Sequence, residues 1–151
     1  MNFTSSTHRV AFAPEIYALL DKMYQRSAEE RRETLAALVG HYSDDCTTAV
    51  VDGIICQVWG EYAICERDHV RLKTELDEIW KSSDGKRYFL GEWHTHPGEP
   101  NTPSVIDLAT ASDTAHDPKA NCPQLVMAIS GSDGLGVHVV TADVSVQLGV
   151  A

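Results

Sequence analysis

The stretch GEWHTHPGEPNTPSVID, residues 91–107, decides how the rest of the chain is read. It continues a strand, RYFLGEWH, entered from the turn Asp84-Gly85. Positions i and i+2 of a strand share a face, so His94 and His96 converge on one point, and Glu92 alternates with them. Pro97 has no amide proton to give a central ladder, which puts both imidazoles at the strand's end, where ions can enter. After the loop GEPN, Thr102 is a good N-cap and Pro103 a good first helical residue, so a helix is predicted from there toward Ser112. Ser104 and Asp107 stand at i,i+3 and share a face of its first turn. A strand end meeting a helix start can gather two nitrogens and one carboxylate oxygen. His94, His96 and Asp107 suit a Zn²⁺ ion, one per chain, with the fourth tetrahedral position left for water; an open position marks a catalytic site rather than a structural one. Taken singly, each residue has a plainer reading: solvated histidines, a serine at a helix start, a favourable first-turn charge. The spaced combination is what argues for a metal.

Working outward, Arg9 to Phe12 reads as a short strand. From Pro14, the residues Ile16, Leu19, Leu20, Met23 and Tyr24 fall on one helical stripe, and Ser27 followed by Glu30 has capping-box spacing for a second helical turn. ETLAALVG, residues 33–40, extends that helix or forms a buried strand; periodicity leaves both open. Thr47 to Trp59 is rich in β-branched residues and broken by Asp52-Gly53, a hairpin-turn signal. Leu72, Leu76, Ile79 and Trp80 make a second amphipathic helix, supported by Arg71/Glu75 and Asp77/Lys81 at i,i+4. Gln124 to Ser130 and Gly136 to Val144 read as two further strands. Helices interleaved with strands predict an α/β or α+β domain around one central sheet. Trp59, Trp80 and Trp93 read as core, with Trp93 alternatively at the cleft border. His8, His41, His69, His116 and His138 lack ligand spacing and read as surface or hydrogen-bonded core residues; Glu61 and Glu99 read as surface charges.

The 151 residues carry a formal charge of −10 at 43% apolar content, which fits one globular domain, residues 1–151. Such an acidic chain is poorly suited to a phosphate backbone, so no nucleic-acid partner is expected. Cys46, Cys56, Cys65 and Cys122 include no CxxC pair. Nothing resembles a secretory leader or approaches eighteen continuous apolar residues, so a cytoplasmic location with no membrane partner is expected. Cys122-Pro123 brings the PCxxC of zinc deaminases to mind but has its first two residues in reverse order, no second cysteine follows and HxE is absent.

His-x-His-Pro, six residues, Ser, two residues, Asp is the signature of the JAB/MPN+ (JAMM) metalloproteases, which HTHPGEPNTPSVID resembles at all four positions. That family also has an upstream glutamate opening a segment like E-T-G-G-x-L-x-G. Here Glu33-Thr34-Leu35-Ala36-Ala37-Leu38-Val39-Gly40 is similar, with Leu35-Ala36 where the family has two glycines. The resemblance spans roughly Arg9 to Val144 and implies a three-layer fold, a central mixed curved sheet flanked by helices, cytidine deaminase-like. It further implies that Zn²⁺ on His94, His96 and Asp107 activates a water, that Glu33 is the general base, and that Ser104 donates to the oxyanion. Glu92, on the histidines' strand face, is the rival base or an orienting residue.

Most active members of that family hydrolyse the bond after the extended C-terminal tail of ubiquitin or a ubiquitin-like protein, gripping the tail by strand addition. The short chain is similar to small bacterial stand-alone members that accompany E1-like and E2-like proteins in antiphage operons. Those systems conjugate a ubiquitin-like protein or a nucleotidyltransferase to targets. The resemblance therefore implies a deconjugating isopeptidase, with the operon's E1/E2-like proteins as further partners. The alternatives are a small-molecule or short-peptide metallohydrolase, such as one processing a sulfur carrier, and an inactive MPN scaffold.

Overall fold

The computed structural model describes residues 1–59 and 69–151, without the side chains of residues 57–59. Its elements are β1 (Asn2–Thr4), β2 (Arg9–Phe12), α1 (Pro14–Glu30), β3 (Thr34–Tyr42), β4 (Thr48–Trp59), α2 (His69–Ser82), β5 (Tyr88–Thr95), α3 (Val105–His116), β6 (Leu125–Gly131), β7 (Gly134–Val140) and β8 (Ser145–Val150). Glu61, Cys65 and the side chain of Trp59 lie outside the described residues.

The sheet is mixed, with β2–β4 and β5–β6 parallel and the other pairs antiparallel. Unforeseen from the sequence is its closure. The order β1-β2-β4-β3-β5-β6-β7-β8 returns to its start, because Phe3 and Thr4 of β1 pair with Val150 and Gly149 of β8. These terminal strands are too short for a periodicity signal, yet Phe3 is buried and stacks edge-on against Phe12.

Alternation along the strands sorts side chains onto two faces. The inner face gathers Phe3, Val10, Phe12, Ala36, Leu38, Val51, Leu90, Trp93, Val126 and Ala128, and α1 adds Ile16 and Leu20 to the same cluster. The outer face carries Ala37, Val39 and Ile55 under Leu72, Leu76 and Ile79 of α2. It also carries Leu125, Met127 and Ile129 under Ala111 of α3. Burial on both faces explains why residues 34–40 form an unbroken apolar strand rather than extending the helix.

Several expectations are corrected. Asp52-Gly53 makes no hairpin: Val39 pairs with Gly53 and Gly40 with Val51, so Asp52 is the extra residue of a β-bulge, anchored by Arg87 Nε at 2.8 Å. Ser27 caps nothing new, since α1 runs on to Glu30 and ends through Arg31 at φ 52°. Helix α3 starts after Ser104, not at Pro103. Asp77 pairs with Lys73, not Lys81; Arg71 pairs with Glu75 as expected. Trp80 is 52% exposed, whereas Trp93 is fully buried in the inner cluster, its Nε1 donating to Ser130 Oγ at 2.8 Å, and so does not border the cleft. His138 is buried with Nε2 unpartnered among the described residues, contrary to a surface or satisfied histidine.

Strand β5 sits between β3 and β6 and passes Gly91 at φ 149°, where an added Cβ would lie 1.9 Å from the Val126 carbonyl oxygen. Gly91→Ala is therefore expected to cost about 3 kcal/mol or more through backbone strain and overpacking. Urea unfolding measures this; a loss below about 1 kcal/mol would show that the β5–β6 contact is not close-packed.

Candidate metal centre

His94 is the outward-facing penultimate residue of β5, beside Leu35 on β3 and Ile129 on β6. His96 lies just past the strand, its amide still donating to the Ser130 carbonyl at 2.8 Å. Pro97 then ends the ladder, and Glu99 N–H closes a turn onto His96 O at 3.2 Å. The chain reaches α3 through a capping box: Asp107 N–H donates to Ser104 Oγ at 3.1 Å, and Ser104 N–H donates to Asp107 Oδ2 at 2.7 Å. The sequence contained this signal in Ser104-x-x-Asp107, but Thr102-Pro103 competed with it.

These devices bring the three residues together. His94 Nε2 is 3.2 Å from His96 Nε2 and 3.2 Å from Asp107 Oδ1, and His96 Nε2 is 3.4 Å from Asp107 Oδ2. A tetrahedral Zn²⁺ with bonds of about 2.0–2.2 Å sets its donors about 3.3–3.5 Å apart, so the observed edges fit such an ion. His96 Nδ1 donates to the Pro100 carbonyl at 3.1 Å, which fixes the proton there and leaves Nε2 as a lone-pair donor. The three side chains are 14–18% exposed, shielded yet reachable. His94, His96 and Asp107 are thus a group that could hold a metal ion.

The electrostatics agree. Burial alone would raise the Asp107 pKa, but the two imidazoles, which donate to the carboxylate when protonated in the metal-free site, hold it far below the usual carboxylate range. The hydrogen bond to Asp107 raises the His96 pKa against burial, with the Pro100 carbonyl adding to the rise.

Glu33 immediately precedes β3. Its carboxylate lies within electrostatic reach of His94, His96 and Asp107. Burial raises its pKa, Asp107 adds to the rise, and the two imidazoles pull it down. Leu35, where the resembling family has glycine, packs 5% exposed beside His94, with a register shift against β4 after it. Glu92 lies further down β5, opposite Ala37 and Met127, about 6.6 Å along the strand from His94. Its charge reaches Cys122, whose thiol is pushed up to about 12, mainly by burial. His8, His41, His69, His116 and the exposed Glu99 stand outside the trio. Sequence reading missed the Pro100 carbonyl, which carries no side-chain signal.

A mixed-sheet domain with a His-His-Asp cluster at a strand end that could hold a metal ion defines the class of protein to compare. The chain belongs to the prokaryotic homologs of the JAB domain, whose family model matches residues 17–146. It is 32% identical over 116 residues to a CD-NTase/cGAS isopeptidase of Enterobacter hormaechei subsp. hoffmannii, covering 75% of this chain and 63% of that protein. It is also 37% identical over 43 residues to a CD-NTase/cGAS isopeptidase of Escherichia coli, covering 28% of each. The chain thus spans less than two thirds of the length of these curated relatives. The solution structure of protein DSY2949 from Desulfitobacterium hafniense shares the fold, with a TM-score of 0.65 at 16% identity over 91% of this chain and 88% of that one.

Protons compete with a metal for His96. Because its metal-free pKa lies above 6.5, zinc affinity should begin to fall above that pH as the solution is acidified. Competition with a chromophoric chelator from pH 8 to 5 measures it; a pH-independent affinity would exclude His96 as a ligand.

Proposed function

We propose that this chain is a Zn²⁺-dependent isopeptidase or peptidase that cuts the bond after the extended C-terminal tail of a conjugated protein, reversing or processing conjugation. The observation that carries this reading is the triangle of His94, His96 and Asp107 with edges of 3.2, 3.2 and 3.4 Å, with Glu33 within electrostatic reach of all three. Bound there, Zn²⁺ would supply Lewis acidity toward water and the scissile carbonyl. Glu33 takes the proton of the attacking water and delivers it to the departing amine, leaving a carboxylate and a free amine with no covalent enzyme intermediate. Partial burial beside two imidazoles keeps Glu33 basic enough for the first transfer and acidic enough for the second. Ser104 Oγ spends a lone pair on Asp107 N–H, so its own proton remains for the carbonyl oxygen as negative charge develops.

The relatives' names point to a CD-NTase conjugate as substrate, with a ubiquitin-like conjugate as the alternative. A tail could enter by strand addition. Every described strand has partners on both sides in the closed sheet, but beyond Val51 strand β4 is paired only by β3 among the described residues. That one-sided stretch runs toward Trp59, which pairs with Thr34 beside Glu33. E1/E2-like proteins, a bacterial antiphage setting and the cytoplasm complete the proposal. No helix among the described residues is long and apolar enough to cross a membrane.

The test uses a CD-NTase joined through its C-terminus to a reporter protein, and a ubiquitin-like protein joined likewise, with the cut located by mass spectrometry. Cleavage directly after the tail is expected; no cleavage of either by zinc-loaded protein would overturn the reading. Glu33→Gln should lose at least about 100-fold in kcat with zinc still bound. Full activity there would move the base to Glu92. Chelators should inhibit reversibly, and in a Cys56→Ser background thiol alkylation should not: Cys122 is buried and poorly ionised, Cys46 lies in the β3–β4 connection away from the trio, and the exposed Cys56 lies on the β4 stretch offered to the tail.

A further inference from the structure

The base must be held as firmly as the ligands, and Glu33 sits on an irregular link between α1 and β3. On either side of it the main chain enters one buried hydroxyl circuit. Thr34 N–H donates to Thr95 Oγ1 at 2.9 Å, Thr95 Oγ1 lies 2.6 Å from Ser27 Oγ, and Ser27 Oγ donates to the Arg32 carbonyl at 2.5 Å. The direction of the middle bond follows from hydrogen counting: Ser27 spends its only hydroxyl proton on Arg32, so Thr95 donates to Ser27. The circuit thus runs Thr34 N–H, Thr95 O–H, Ser27 O–H, Arg32 C=O, and it brackets Glu33 from both sides. Ser27, Thr34 and Thr95 are 0% exposed, so water cannot replace a missing member, and bonds chained in this way polarise one another. The Ser27 carbonyl also accepts from Arg31 and Arg32 N–H, fastening the left-handed exit of α1. Thr95 stands between His94 and His96, so one strand faces the ligands outward and the clamp inward.

We propose that Ser27 and Thr95 are positioning residues that hold Glu33 against the metal centre, doing here with side-chain hydroxyls what local backbone geometry alone does not secure. This rests on Glu33 being the general base. The circuit ties three segments distant in sequence, the end of α1, the start of β3 and the end of β5, so its loss would let the Glu33 link drift while β5 still presents both imidazoles. Displacement of a reacting group by about 1 Å can cost on the order of 100-fold in rate.

The test uses the full zinc-loaded chain and the CD-NTase reporter fusion. Ser27→Ala is expected to lower kcat by about 10- to 100-fold with KM and zinc affinity as in the wild type. Thr95→Val should do the same and should speed amide hydrogen exchange at Thr34, while the conservative Thr95→Ser restores both. In a Glu33→Gln background, followed at raised enzyme concentration, Ser27→Ala should cause no further loss. The proposal is overturned if Ser27→Ala and Thr95→Val lower only the unfolding temperature, with kcat intact well below it. It is equally overturned if Ser27→Ala costs as much in the Glu33→Gln background as in the wild type. Wild-type cleavage by the Glu33→Gln single variant would instead overturn the base reading itself, a separate outcome. Should Ser27→Ala not fold, Thr95→Val against Thr95→Ser decides the matter.

Discussion

Two imidazole nitrogens and a carboxylate must be held near tetrahedral spacing before any ion arrives, and mutual repulsion of lone pairs opposes this. The chain meets the constraint with backbone devices rather than with the metal. Parallel pairing to β6 fixes His94, and the Ser130 carbonyl catches the His96 amide as the strand ends. The Pro100 carbonyl orients the His96 ring. The capping box at the start of α3 aims Asp107 back at both histidines. Each hydrogen bond is modest, but together they remove freedom that binding would otherwise have to remove, and such preorganisation underlies tight, correctly shaped metal sites.

The same alternation that builds the core builds the site. Trp93 points inward to the main cluster and His94 outward to the candidate metal centre; Thr95 turns inward to the hydroxyl circuit and His96 outward again. A slip of one residue in β5 would exchange core for chemistry, so register matters more here than local propensity. Closure of the sheet through β1 and β8 helps to hold that register, because β5 has fixed neighbours on both sides. The interior lies behind the site, α2 covers Ala37, Val39 and Ile55 of the outer face, and α3 covers Leu125, Met127 and Ile129.

Much of this was legible in the sequence. The alternating histidines, the strand-ending proline and the i,i+3 serine and aspartate point to a ligand trio because strand and helix periods are rigid geometric facts. The segment from Glu33 to Gly40 carries the resemblance that singles out Glu33 as the proposed base, and the strand reading it needed is one of two that the apolar run allowed. Other features left no local trace. Barrel closure depends on pairing between the two chain ends, which no short window contains. Asp52-Gly53 has the chemistry of a turn but is used as a bulge because Arg87, far along the chain, binds Asp52. Ser27 resembles a cap, yet its role lies across the core at Thr95. Trp80 follows the helical stripe but sits at its margin, against Tyr88, and remains half exposed.

The most direct measurement is anomalous X-ray diffraction at the zinc edge from crystals of the full chain grown with zinc. The expected result is one peak per chain at about 2.0–2.1 Å from the Nε2 atoms of His94 and His96, and within about 2.2 Å of an Asp107 carboxylate oxygen. No peak there, or a fully occupied ion on other side chains while these three turn apart, would contradict the metal centre and the chemistry built on it.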